Sequence, residues 1–233
     1  MGFQLVTIPD AAVKRADRLE SSLFWQVIGM GERIAAGILL AITWPLMLVV
    51  SSVIWVLSRR SPFVAHRRIG HRGKPIWVIK LRTMWEDKET AVPRFQLLER
   101  LEDAGVDAIS QLPVTRKLPT DPRVTSRLAR ICRKYSIDEL PQLWQVVSGD
   151  LALIGPRPLT AEEIETYYRE TAAHLLSVKP GLSGLWQVKG RSRLTYKQRC
   201  RLDLFMIRKW SPGLYARILA ATIPGVVMGR NAW

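Results

Sequence analysis

The chain has 233 residues and carries 35 Lys and Arg against 20 Asp and Glu, a formal net charge of +15. That length holds one domain with a real core plus an accessory segment, and the charge surplus implies an anionic partner: nucleic acid, anionic lipid headgroups or a nucleotide substrate. The two cysteines, Cys132 and Cys200, stand in basic, helix-like contexts without metal-ligand spacing, so they read as thiols in a reducing compartment. No internal repeat or low-complexity tract is present.

Residues 1–30 are mixed in character. Asp10, Lys14, Arg15, Asp17, Arg18 and Glu20 do not resemble the short basic start of a secretory leader, and the next apolar run begins too late for one. Ser22–Met30 fits an amphipathic approach helix on a membrane. Ile34–Leu57 is uncharged from end to end; as a straight helix it would cover roughly 36 Å, enough to cross a bilayer core. Two readings stay open on the residues alone. One is a simple spanning helix. The other is a re-entrant helix, favoured by Pro45 near the middle, by Thr43, Ser51 and Ser52 as partners for freed backbone groups, and by cations on both flanks (Arg33 before, Arg59 and Arg60 after).

After a basic turn at Arg67–Lys74, Pro75–Leu81 reads as a strand, at whose end Lys80 and Arg82 alternate and can face one side. Glu86–Ser110 is polar with acidic patches and reads as a helix with a surface loop. Thr125–Tyr135 is an amphipathic helix, and Glu139–Ser148 a second, stopped by Gly149. Thr160–Val178 and Thr195–Lys209 come next, each opened by a capping box. Leu214–Met228 is apolar, broken by Pro224, and reads as an interfacial or packing helix. The fold class expected is mostly α with a few short β-strands.

The chemistry concentrates in two places. Ser136-x-x-Glu139 matches a capping box, which puts Asp138 and Glu139 at a helix N-terminus, where a plain cap is one reading. Adjacent helical residues point about 100° apart, so the two acids cannot grip one atom but can divide labour. One can attack a phosphorus while the other holds a cation beside it. Pro156-Arg157-Pro158 clamps an arginine in an extended loop suited to bidentate phosphate contact. Arg123 and Arg191 are further cations in short patterned turns. Paired acids in a basic chain with an apolar run point to phosphate chemistry at a membrane surface.

These segments, in this order, resemble the bacterial sugar transferase family, the monotopic polyprenyl-phosphate phosphoglycosyl transferases. The resemblance covers about Arg33 to Asn231. Its carriers are Arg68-Ile69-Gly70, Lys80-Leu81-Arg82-Thr83-Met84, Asp121-Pro122-Arg123-Val124-Thr125, Ser136 to Trp144, Gly155-Pro156-Arg157-Pro158, and Val178 to Val188 with Gly190-Arg191. It implies a membrane-embedded re-entrant helix-break-helix over 31–60, kinked at Pro45, after an approach segment 1–30. A single cytosolic catalytic domain would span 61–233, at the cytoplasmic face of a bacterial inner membrane. It further implies that Asp138 attacks a UDP-sugar, releasing UMP, and passes the sugar phosphate to polyprenyl phosphate. Glu139 would bind Mg²⁺. Arg157 with Pro156, Pro158, Lys80, Arg82, Arg123, Arg191 and Gln187 would bind substrate. Membrane lipid and downstream glycosyltransferases are the implied partners, with no nucleic acid beyond the nucleotide donor. The rival readings are a membrane-tethered module that binds anionic lipid or nucleic acid, and a catalytically silent scaffold. The chain departs from the family before the apolar run, where Glu32-Arg33 is followed by Ala35-Ala36 in place of an acid. Trp44 rather than serine precedes Pro45, and Lys189 stands where a small polar residue is common.

Overall fold

The uncharged run dictates the first element. In a computed structural model of the chain, which describes residues 22–84, 126–190 and 194–227, it lies within one helix, α1, Leu23–Ser58. The expectations for residues 1–21 and Glu86–Ser110, and for Arg123 and Arg191, fall outside the described residues. The helix starts earlier than the apolar run. Ser22–Met30 is therefore not a separate approach helix but is continuous with that run. Trp25, stacked on Trp210 at 5.6 Å and edge-on to Tyr215 at 6.4 Å, holds these first turns on the domain.

The helical conformation also continues through Pro45, so the break expected there is absent. Thr43 and Ser52 donate to their own i−4 carbonyls, Leu39 at 2.7 Å and Leu48 at 2.9 Å. Neither of these bonds serves the Ala41 carbonyl, which proline deprives of its ordinary donor. Burial along α1 falls on one stripe: Glu32, Ala36, Met47, Val50, Ser51 and Ile54. The opposite side exposes Ile38, Ile42, Trp44, Val49, Trp55 and their neighbours. By length and composition α1 is the one helix among the described residues able to cross a membrane.

Two apolar clusters seat α1 on the rest of the chain. Ala36 packs with Leu143, Val146 and Leu151; Val50 and Ile54 pack with Leu81 and Cys132. The polar contact is Glu32. Its Oε1 accepts from the backbone N–H of Leu153 at 3.0 Å and of Ile154 at 3.4 Å, and from the Tyr215 hydroxyl at 2.8 Å. At position 36, where the resemblance implies an acid, the chain has a fully buried alanine.

Strands β1, Phe63–Ile69, and β2, Pro75–Leu81, form an antiparallel hairpin with His66 opposite Val78 and Val64 opposite Lys80. Helix α2, Arg127–Lys134, is capped by Ser126. A 3₁₀ turn at Ile137–Glu139 precedes α3, Gln142–Ser148, which Gly149 ends at φ 88° with the Arg33 guanidinium lying where a Cβ would go. β3, Ala152–Ile154, pairs in parallel with β4, Gly181–Ser183. Between them the single helix expected over Thr160–Val178 is split into α4, Ala161–Tyr167, and α5, Ala172–Leu176, because Arg169 turns to φ 33° behind the buried Tyr168. Helix α6, Leu185–Lys189, leads to α7, Tyr196–Arg208, and α8, Pro212–Val227, which runs unbroken through Pro224, contrary to the sequence expectation. The predicted capping boxes at Thr160 and Thr195 are both formed. The largest core cluster gathers Ile69, Leu159, Ile164, Tyr168, Leu175 and Ile207. The fold is mostly helical with a few short strands, in line with the sequence pattern.

Glu32→Ala leaves the Tyr215 hydroxyl and two strand N–H groups without their shared acceptor. It should cost about 2 kcal/mol of stability, read as a lowered unfolding temperature in detergent, with Glu32→Gln falling between. Wild-type unfolding in the alanine variant would remove Glu32 from its structural role.

Candidate active site

A small, partly open cleft lies where the hairpin, α3 and the β3–α4 loop meet. The strand period builds one wall. His66 and Arg68 alternate along β1, Val78 and Lys80 along β2, and all four line the cleft. Arg68 is held by Glu163, whose Oε2 accepts from its Nη1 at 2.8 Å and also from the Thr160 N–H at 2.7 Å, so the α4 cap and the arginine share one carboxylate. His66 lies at the exposed edge of the cleft; partial desolvation first, then the charges of Arg68, Lys80 and Arg157, push its imidazole below the usual histidine range.

The acids enter from the opposite side. Ser136 takes a left-handed conformation at φ 57° and makes no side-chain cap, so the expected capping box is not formed. Asp138 and Glu139 sit in the 3₁₀ turn ahead of α3 instead. The reason is on the far wall: Lys80 Nζ donates to Glu139 Oε1 at 2.5 Å, and this ion pair turns the carboxylate toward the cleft rather than back to its own turn. Asp138 stands one residue behind the cleft lining. Burial, then the charge of Glu139, raises its carboxyl to about 6, against the opposing pull of Lys80 and Arg133. Behind it lies the fully buried Cys132, a free thiol raised to about 11 by burial and by the Asp138 charge. Cys200 is likewise a free, buried thiol.

The arginine loop is fixed at both ends. Gly155 donates to Ser183 O at 2.8 Å and Gly181 donates to Pro156 O at 2.8 Å, where the two segments pass so closely that a Cβ on either glycine would strike the other's backbone. Beyond the loop, Ile69 of β1 donates to Leu159 O at 2.8 Å. Pro156 and Pro158 are buried, while Arg157 between them is partly exposed and lines the cleft with Pro158. The field of Arg157 also reaches Asp203 in the core, a carboxyl that burial raises to about 7 and that accepts from the Tyr168 hydroxyl at 3.1 Å.

Of the residues singled out from sequence, the cleft unites Lys80, Glu139, Arg157, Pro158 and Gln187, with Asp138 adjacent. Two land elsewhere. Arg82 lies past the end of β2, and its Nε donates to Ser61 O at 2.8 Å, tying the hairpin ends together. Pro156 is sealed in the core and does not line the cleft. Sequence reasoning misses His66, Arg68 and Gln142 as cleft residues. The sequence reading puts Arg68 in a basic turn, whereas β1 runs on to Ile69 with His66 opposite Val78; Gln142 is accessible from its place four residues after Asp138.

Residues 26–229 match the model of the bacterial sugar transferase family. The chain is 36% identical over 209 residues to the exopolysaccharide production protein ExoY of Rhizobium meliloti, covering 88% of this chain and 89% of that protein. It is 31% identical over 210 residues to the undecaprenyl-phosphate galactose phosphotransferase of Salmonella typhimurium, covering 89% of this chain and 40% of that one. It is 29% identical over 238 residues to the UDP-glucose:undecaprenyl-phosphate glucose-1-phosphate transferase of Xanthomonas campestris pv. campestris, covering 99% of this chain and 45% of that one. A matched family model over most of the chain, on a cleft that gathers the motif residues, establishes the relationship: the chain belongs to the bacterial sugar transferase family.

Proposed function

We propose that this chain transfers a sugar 1-phosphate from a UDP-sugar to polyprenyl phosphate, releasing UMP, and so begins assembly of a bacterial exopolysaccharide or related glycan. The observation that carries the reading is the adjacent acids Asp138 and Glu139, the latter bridged to Lys80 across a cleft that Arg68 and Arg157 also line. A carboxylate next to several cations suits attack on a diphosphate, whose charge those cations neutralise as it redistributes. In the first half, an Asp138 carboxylate oxygen bonds to the sugar-bearing phosphorus. The P–O bond to UMP breaks, and UMP leaves with the electron pair. In the second half, a phosphate oxygen of polyprenyl phosphate attacks the same phosphorus, the aspartyl P–O bond breaks, and Asp138 is regenerated. Arg157 and Lys80 hold phosphate oxygens in place. The relatives named for galactose and for glucose leave the sugar open.

Glu139 is the carboxylate that would hold Mg²⁺, in exchange for its contact with Lys80. No group of three or more metal-ligating side chains occurs among the described residues, and Mg²⁺ is commonly held by one or two carboxylates completed by substrate phosphates. When bound, it would screen the diphosphate and ease departure of UMP.

The membrane reading rests on α1, whose exposed apolar side would lie in lipid. Both of its halves pack on the same domain, which supports an unbroken helix lying along one bilayer face, the cytoplasmic one on this reading. The cleft would then lie beside the surface from which polyprenyl phosphate presents its headgroup and from which downstream glycosyltransferases would take the product.

Purified protein with Mg²⁺, undecaprenyl phosphate and a panel of UDP-sugars should release UMP from one of them, and Asp138→Asn should lower that rate by at least about 10³-fold with the fold intact. Normal turnover in a folded Asp138→Asn variant would overturn the assignment. The pH profile offers a second check. The nucleophile acts as carboxylate, so kcat/KM should fall as pH drops through about 6, the value to which burial and Glu139 raise Asp138. Lys80→Met removes a charge that lowers this value, so the acid limb should move to higher pH. A limb that stays in place would separate Lys80 from the nucleophile.

A further inference from the structure

Helix α3 carries two glutamines on its buried side, and they are treated differently. Gln145 is 4% exposed with both amide ends engaged: its Oε1 accepts from Ile79 N–H at 3.1 Å and its Nε2 donates to Trp77 O at 2.6 Å. It locks α3 to β2. Gln142 is equally buried at 4% and lines the cleft, yet its Nε2 has no hydrogen-bond partner. On another side of the cleft, Gln187 donates from Nε2 to Leu182 O at 2.9 Å, which fixes the amide orientation and leaves its buried Oε1 without a donor. Buried amide atoms are almost always paired, and those left open at a cleft await a ligand.

We propose that Gln142 and Gln187 form a neutral amide subsite of the donor cleft, taking a group that presents hydrogen-bond acceptor and donor together. The inference rests on the nucleotide-sugar reading above. Arg68, Lys80 and Arg157 supply the cations that phosphates require. The Gln187 Oε1 acceptor at the cleft has the wrong polarity for a phosphate oxygen and the right one for O–H or N–H. Within a nucleotide sugar, that chemistry belongs to a sugar hydroxyl or to the uracil imide edge. A site built to bond such a group rejects analogues lacking it far more strongly than an apolar pocket does.

The test is calorimetric titration of UMP, UDP-galactose and UDP-glucose into the full chain carrying Asp138→Asn, so that donors bind without turnover. Gln142→Met and Gln187→Met are added singly. Gln142→Met removes an unpaired amide, so its unfolding temperature should stay level or rise, while Gln145→Met, the structural control, should lower it. Donor Kd should increase about tenfold in each subsite variant, the loss of one hydrogen bond. An equal rise in UMP Kd assigns the subsite to uracil; unchanged UMP binding with weakened UDP-sugar binding assigns it to the sugar. Parent-level Kd for every probe in both variants would overturn the subsite. No saturable binding by the parent would remove the nucleotide-sugar reading itself, and the subsite with it.

Discussion

The carboxylate of Glu32 is the polar contact on which the placement of the site depends. A helix as apolar as α1 packs by shape alone and can slide or rotate on its partners; one buried acid bonded to two strand N–H groups and a tyrosine hydroxyl fixes both its register and its rotation. Burying a carboxylate is unfavourable unless its oxygens are bonded, so this contact tolerates little displacement. The later elements are organised around it. β3 runs from the Glu32 contact into Gly155 and the arginine loop, and α3, packed against Ala36, comes directly after the turn that holds the acids. Helix α1 is thereby the common frame of the two halves of the site.

Within that frame the cleft balances opposed charges. Partial desolvation and the cations around it lower the His66 imidazole, which disfavours one further positive charge in the site. Glu139 stays engaged with Lys80 across the cleft. Asp138 is set back, flanked by an acid and backed by Cys132, and its carboxyl is raised toward 6. A carboxylate raised in this way is more basic and less solvated than an exposed one. Both properties suit a nucleophile that forms a covalent phosphoryl link in a site partly shielded from water.

Much of this is legible in the sequence, and the failures have physical causes. Spacing locates the helix cores, both threonine capping boxes and the Gly149 stop, because each depends on residues within one turn. The capping box at Ser136 fails because Lys80, distant in sequence, captures the Glu139 carboxylate. Alternation puts Arg82 on the cleft only if the strand continues past Leu81, and it does not. Pro45 and Pro224 read as breaks, yet both helices run through them. Proline removes one hydrogen bond, and packing along the rest of α1 holds the helix together across that gap. The role of Glu32 has no sequence signal, since its three partners come from β3 and α8.

The central claim is that Asp138 becomes covalently bonded to the sugar phosphate. The direct measurement is intact-protein mass spectrometry after incubation with Mg²⁺ and the UDP-sugar that gives UMP, without polyprenyl phosphate, followed by acid quench. The account predicts a mass increase of one sugar phosphate with a matching burst of UMP, absent in Asp138→Asn and discharged on adding polyprenyl phosphate. UMP formed only when acceptor is present, with no adduct at any time, would contradict it.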